Sequence, residues 1–108
     1  MPPGGGGAAM TATVRSAPGT QPNTLMWKDD ASGTPETTIK AGGTVSWDGT
    51  VSPPHTVESS GAPSFSNVTS LPGNRMFMTP GNYAYFCGVH GGDPVAKTGM
   101  WGIVHVVP

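Results

Sequence analysis

Apolar residues in this chain come in short runs that alternate with polar ones, and glycine and proline separate the runs. The pattern predicts strands over 24–27, 37–40, 44–47, 55–58, 74–79, 83–87 and 101–107. Ala41-Gly42-Gly43 parts the second from the third, Pro53-Pro54 leads into the fourth, and Leu71-Pro72-Gly73 and Pro80-Gly81-Asn82 lead into the next two. Successive strand residues point to opposite faces. Over 83–87 this puts Tyr83, Tyr85 and Cys87 inward and Ala84 and Phe86 outward. Over 101–107, Val104 and Val106 share one face, and Ile103, His105 and Val107 share the other. No window of about 11 residues carries an apolar helical period, so little or no helix is expected, beyond one turn near 64–70. Short β-rich runs between Gly/Pro turns read as an all-β sandwich or barrel of about seven to eight strands.

Composition refines this picture. The chain has 108 residues, 35% of them hydrophobic, which suits one domain with a thin core between two sheets. Of its 17 glycines and 12 prolines, nine fall in the first 22 positions. Residues 1–22 therefore read as a Gly/Pro-rich flexible tail or linker, with 10–14 able to add part of an edge strand, and 23–108 as the folded domain. The tail could tether the domain to a membrane anchor or a larger protein. The start Met1-Pro2-Pro3-Gly4 lacks the charge and the apolar stretch of a secretory signal, so any signal or anchor is expected outside this sequence. No apolar run approaches the roughly 18 residues that span a bilayer. Five basic and six acidic residues leave no patch to neutralise phosphates, which argues against nucleic-acid binding. Asp29-Asp30, the one adjacent acidic pair, reads as a solvated pair.

The chemistry concentrates near the C-terminus. Cys87-Gly88-Val89-His90 follows a strand and opens a glycine-rich loop that Met100 closes. His55 begins another strand far upstream. Two imidazoles and a thiolate with a weak thioether form the donor set of type 1 copper. Two other readings stay open on these residues. Catalytic zinc could use His55, Cys87 and His90, although a structural zinc site would draw on more than the single cysteine present. A Cys–His nucleophilic pair would need a positioned base and an oxyanion hole, for which no motif stands out. His105, on the outward face, reads as a surface residue.

Several segments resemble the plastocyanin-like cupredoxins, the type 1 blue copper proteins. Thr38-Ile39-Lys40-Ala41-Gly42-Gly43-Thr44-Val45-Ser46-Trp47 is similar to their I-x-x-G-x-x-V-x-W segment, and Pro54-His55-Thr56-Val57 to the segment of the first ligand. Pro80-Gly81-Asn82-Tyr83-Ala84-Tyr85-Phe86-Cys87, after Leu71-Pro72-Gly73, is similar to the strand leading to the Cys ligand. Met100-Trp101-Gly102-Ile103-Val104-His105-Val106 is similar to the closing M-x-G-x-V-x-V. The resemblance covers about 24–108 and implies a Greek-key β-sandwich. It implies one copper ion on His55, Cys87, His90 and Met100, cycling between Cu(I) and Cu(II), with His90 as the ligand nearest the surface. The nine residues between His90 and Met100 exceed the family's usual gap, so Met76 and Met78 stand as alternative thioethers.

The function so implied is a one-electron carrier between redox partner proteins that dock near His90. It would be a monomer outside the cytoplasm, in a periplasm, a thylakoid lumen or on the outer face of a membrane. It is not expected to be an enzyme, because four donors leave no open metal position for a substrate. The alternative is a copper storage or delivery module, or a cupredoxin domain of a larger redox complex. A backbone N–H, that of Thr56, is expected to bond the Cys87 sulfur, and Trp47 and Phe65 to help exclude water.

Overall fold

The alternation read from the sequence becomes nine strands in a computed structural model that describes residues 8–108, with no helix among them. The strands are β1 (Ala9–Pro18), β2 (Leu25–Asp29), β3 (Glu36–Asp48), β4 (Glu58–Ser60), β5 (Gly73–Phe77), β6 (Gly81–Phe86), β7 (Gly92–Asp93), β8 (Thr98–Gly99) and β9 (Trp101–Val107). Seven form the sandwich, and β7 and β8 form a small separate hairpin. No helical turn forms over 64–70; Val68 instead pairs with Val57 as an isolated bridge.

The runs 37–40 and 44–47 are two halves of one strand, β3, which turns a corner at Ala41-Gly42-Gly43. Gly42 takes φ 90°, and a Cβ at Gly43 would lie 2.7 Å from the Met10 carbonyl oxygen and 2.8 Å from that of Lys40. The corner accepts only glycine there. The first half of β3 runs parallel to β9, with Ile39 opposite Val106. The second half pairs with β1 on one edge, parallel, and with β5 on the other, antiparallel. One strand thus serves both layers. The first layer is β2-β1-β3-β5 and the second is β3-β9-β6-β4.

The core lies where the inward faces meet. Val14, Trp27, Val45, Trp47 and Phe77 come from the first layer, and Ile39, Tyr83, Tyr85, Cys87, Val104 and Val106 from the second. The face assignments for 83–87 and 101–107 hold. Tyr85 is central: its ring meets Trp47 edge-on at 5.4 Å and packs flat on Gly102, where any side chain would collide with it. Burial pushes its phenol well above the ordinary tyrosine range. Tyr83 donates its hydroxyl to the Thr79 carbonyl at 2.7 Å.

Two expectations are corrected. Much of the segment read as a tail is structured: β1 is not a partial edge strand but an interior one, paired with both β2 and β3. Its alternation (Val14 and Ser16 buried, Arg15 exposed) is short enough to be hidden beside the Gly/Pro signal. The assignment of 1–7 to a tail lies outside the described residues. Asp29 is not solvated but 2% exposed. Its Oδ2 accepts the Ser32 N–H at 2.9 Å and so closes the turn after β2, while Asp30 remains outside and binds Arg15 at 3.1 Å.

Candidate metal centre

Each candidate donor is placed by a different device. Cys87 follows β6 with inward parity, so its side chain is fully buried. Its backbone is held on both sides, with Cys87 N–H donating to the Met100 carbonyl at 3.0 Å and Gly91 N–H donating to the Cys87 carbonyl at 2.8 Å. The second bond tightens the loop and swings His90 back toward the sulfur. His90 Nδ1 lies 3.6 Å from Cys87 Sγ, while the residue as a whole stays exposed.

His55 comes from the segment before β4, the strand paired with β6, and is 5% exposed. Its Nε2 donates to the Val51 carbonyl at 2.6 Å, which fixes the proton on Nε2 and leaves Nδ1 with a free lone pair, 3.7 Å from Cys87 Sγ. Val51 is itself fixed from β1: Ser16 Oγ donates to its carbonyl and accepts its N–H, each at 3.0 Å. The Trp27 ring packs against the imidazole with centroids 5.4 Å apart.

The three donor atoms all lie within 4.8 Å of one another. A metal bonded at about 2.1 Å to nitrogen and about 2.3 Å to sulfur would separate its ligand atoms by about 3.5–4 Å, so the cluster has the size of a single-ion site. The lone pair at His55 Nδ1, a second imidazole and a buried thiol fit a soft, thiolate-binding metal. Met100 is 1% exposed and lines, with His90, a cavity of about 230 Å³. The alternative thioethers are out of reach of this interior: Met76 and Met78 are 63% and 65% exposed, on the outer face of β5 and just beyond it.

The long segment after His90 does not displace Met100. Its extra residues fold outward as the β7–β8 hairpin, with Gly92 opposite Gly99 and Asp93 opposite Thr98. Asp93 Oδ1 caps the tip by accepting the N–H groups of Val95 and Ala96. The hairpin's base returns the chain so that Met100 N–H donates to the Gly91 carbonyl at 3.0 Å.

One expected contact is replaced by another. Among the described residues the polar neighbours of Cys87 Sγ are the two imidazoles, and no Thr56 N–H reaches it. Thr56 instead acts through its hydroxyl, which accepts the Gly88 N–H at 2.9 Å. Trp47 and Phe65 stack at 5.9 Å and 3° between planes, deeper in the core. His105 lies outward, as read. It bridges Asn82 Oδ1 at 2.8 Å and Glu36 Oε1 at 2.7 Å, away from the donors. Ser16, Val51, Trp27 and Glu58 were not singled out from the sequence. Their part depends on pairings across 28 or more residues that no local motif signals, apart from the apolar alternation around Ser16.

Known structures share this backbone. A Sinorhizobium pseudoazurin superposes with a TM-score of 0.65 at 14% identity, over 91% of this chain and 74% of its own. The purple cupredoxin of Nitrosopumilus maritimus gives 0.55 at 19%, over 88% and 98%. An amicyanin variant in its reduced Cu(I) form gives 0.56 at 23%, over 93% and 82%. This is a cupredoxin fold. No family model and no curated protein sequence matches the chain, so the likeness is carried by the cupredoxin backbone.

Proposed function

We propose that the chain is a one-electron carrier built on a single type 1 copper site, with His55, Cys87 and His90 as its strong ligands and Met100 as the weak axial one. The observation that carries this reading is the cluster itself: two imidazole Nδ1 atoms 3.7 and 3.6 Å from one buried thiol. The fold similarity to an amicyanin described with Cu(I) supports the choice of metal. When bound, copper supplies the one-electron couple.

The polypeptide's part is to hold the donors still and dry. The Nε2–H to Val51 bond keeps the His55 ring from rotating, and Trp27 closes its flank. The two backbone bonds of Cys87 fix the sulfur in the core. Donors that are positioned in advance need little rearrangement between oxidation states. His90 is the donor that reaches the surface. Val89 adjoins His90, and Val51 and Pro54 flank His55, whose ring lies 4.7 Å from that of His90; all three are exposed, and this apolar surface would receive the redox partners. Apolar docking of this kind depends only weakly on salt. With all four donors engaged, no position is left for a substrate, so the site carries electrons rather than transforming a molecule. The extracytoplasmic setting and the monomeric state belong to the same reading.

Titration of the metal-free protein with Cu(II), followed by ascorbate, tests it. An intense blue band that saturates at one equivalent and bleaches reversibly is the expected result. Only the faint colour of ordinary Cu(II) would mean that Cys87 does not ligate copper and would end the proposal.

A further inference from the structure

The two segments that supply the donors are joined by a side-chain link on the outside of the sandwich. Thr56 and Glu58 are two residues apart, so they share a face, while Val57 between them is fully buried. Gly88 N–H donates to Thr56 Oγ1 at 2.9 Å, and Thr56 Oγ1 donates onward to Glu58 Oε2 at 3.0 Å. Glu58 pairs with Phe86 across β4 and β6, which lays its carboxylate over the Cys87–Gly88 turn. A Cβ at Gly88 would fall inside that carboxylate. The absent side chain at position 88 is therefore the space Glu58 occupies.

Glu58 also stands apart electrostatically. Among the described residues the ion pairs are those of Arg15 with Asp30 and Asp48, and of Glu36 with Lys97 and His105. Asp29 and Asp93 accept backbone N–H groups. Glu58 is half-buried, its Oε2 receives only a neutral hydroxyl, and it lies one peptide from Cys87.

We infer that Glu58 is a positioning residue of the metal centre: through Thr56 it ties Gly88, and so the Cys87 sulfur, to the His55 segment, and its uncompensated charge favours the oxidised centre and holds the reduction potential down. The effect on the potential rests on the copper reading above, whereas the link is a property of the polypeptide alone. The direction follows from Coulomb's law. The oxidised centre carries one more positive charge than the reduced one, and a nearby carboxylate stabilises it preferentially.

Two measurements test this. Glu58→Gln keeps an oxygen for the Thr56 hydroxyl and removes the charge. Loaded with copper, it should keep the blue band and show a higher potential than the parent, by more than the remote control Asp30→Asn. A potential that is unchanged, lowered, or raised no more than by that control overturns the electrostatic role. In the metal-free protein, Gly88→Ala should lower the thermal midpoint, and adding Glu58→Ala should recover part of the loss, because the methyl then enters the vacated space with only Thr56 Oγ1, 2.9 Å away, left to shift. An equal cost with and without Glu58→Ala would show that the carboxylate does not cover Gly88, and the proposal would fall. Should Gly88→Ala not fold, Thr56→Val reads the same link through hydrogen exchange: the Gly88 amide should lose its protection, and retained protection counts against the link. Because these readouts need no metal, a missing blue band would sink the copper reading without being mistaken for a failure of the link.

Discussion

At the scale of single residues, the orientation of His55 depends on a serine 39 positions upstream. Ser16 is 3% exposed and makes a reciprocal pair of bonds with Val51, whose carbonyl holds His55 Nε2. Ser16→Ala should cost about 1 kcal/mol by leaving the part-buried Val51 N–H without its partner. It should also weaken copper binding about 10–100-fold, as loss of such supporting bonds does; a competition titration would measure the latter. The candidate donors stand out in the sequence because cysteine, histidine and methionine declare their chemistry by type, and three of them fall within 14 positions. Ser16 has no such signature, and its role exists only once β1 lies beside 51–55. A second residue-scale prediction concerns Glu36. The hydrogen bond from His105, chiefly, and the nearby Lys97 hold its carboxyl below the ordinary range against the opposing effect of burial. A depressed carboxylate stabilises the fold above its unfolded pKa and stops doing so as pH falls through the folded one. Glu36→Gln should therefore destabilise the fold slightly at neutral pH, by less than about 1 kcal/mol for so exposed a pair, a loss that thermal unfolding would register. The difference from the parent should fade as pH falls below the ordinary glutamate value of about 4.3 and vanish once the folded-state carboxylate is itself protonated.

At the scale of elements, the β7–β8 hairpin explains how nine residues between His90 and Met100 can still leave Met100 beside Cys87. Its geometry tolerates no side chain at its base, since a Cβ on Gly92 would fall on the Met100 backbone. Gly92→Ala should thus push Met100 off the Cys87 N–H and destabilise the protein by about 1–3 kcal/mol, as overpacking does. Calorimetry would register the loss, and altered absorption of the copper form would report the displaced donor. The strands themselves were largely legible, because period-2 alternation is physical and local: 83–87 and 101–107 have the faces read from them. Two features were not. β3 read as two strands because Ala41-Gly42-Gly43 looks like a turn, when it is a corner within one hydrogen-bonded element. β1 read as linker because glycine and proline on both sides outweighed five alternating residues. Removing residues 8–18 should accordingly abolish the cooperative unfolding transition, since β2 and the second half of β3 would lose their shared partner. A truncated chain that unfolds cooperatively would place the true domain start after β1.

At the scale of the whole molecule, the aromatic contacts between layers, Trp47 with Tyr85 at 5.4 Å and Phe77 with Tyr83 at 5.0 Å, hold the sandwich closed around the donors. Bonds within the polypeptide hold His55 and Cys87 in place, so loading should stabilise the fold by mass action rather than create it. At a free copper concentration about 1,000 times the dissociation constant the gain is about 4 kcal/mol. Unfolding scans with and without copper should show the shift, while the strand content by circular dichroism stays the same.

The path of β3 has a consequence for attachment. Ala9, near the start of β1, and Val106, near the end of β9, both lie opposite Ile39, just before the corner. Cys87 and Met100 sit at the other end of β6 and β9, about 20 Å away along a seven-residue strand. Both ends of the folded chain thus leave from the pole remote from His90. A molecule fixed to an electrode or bead at Ala9 or at Val107 would stand with the pole of the candidate donors facing the solution, and the two graftings should yield the same exposed face.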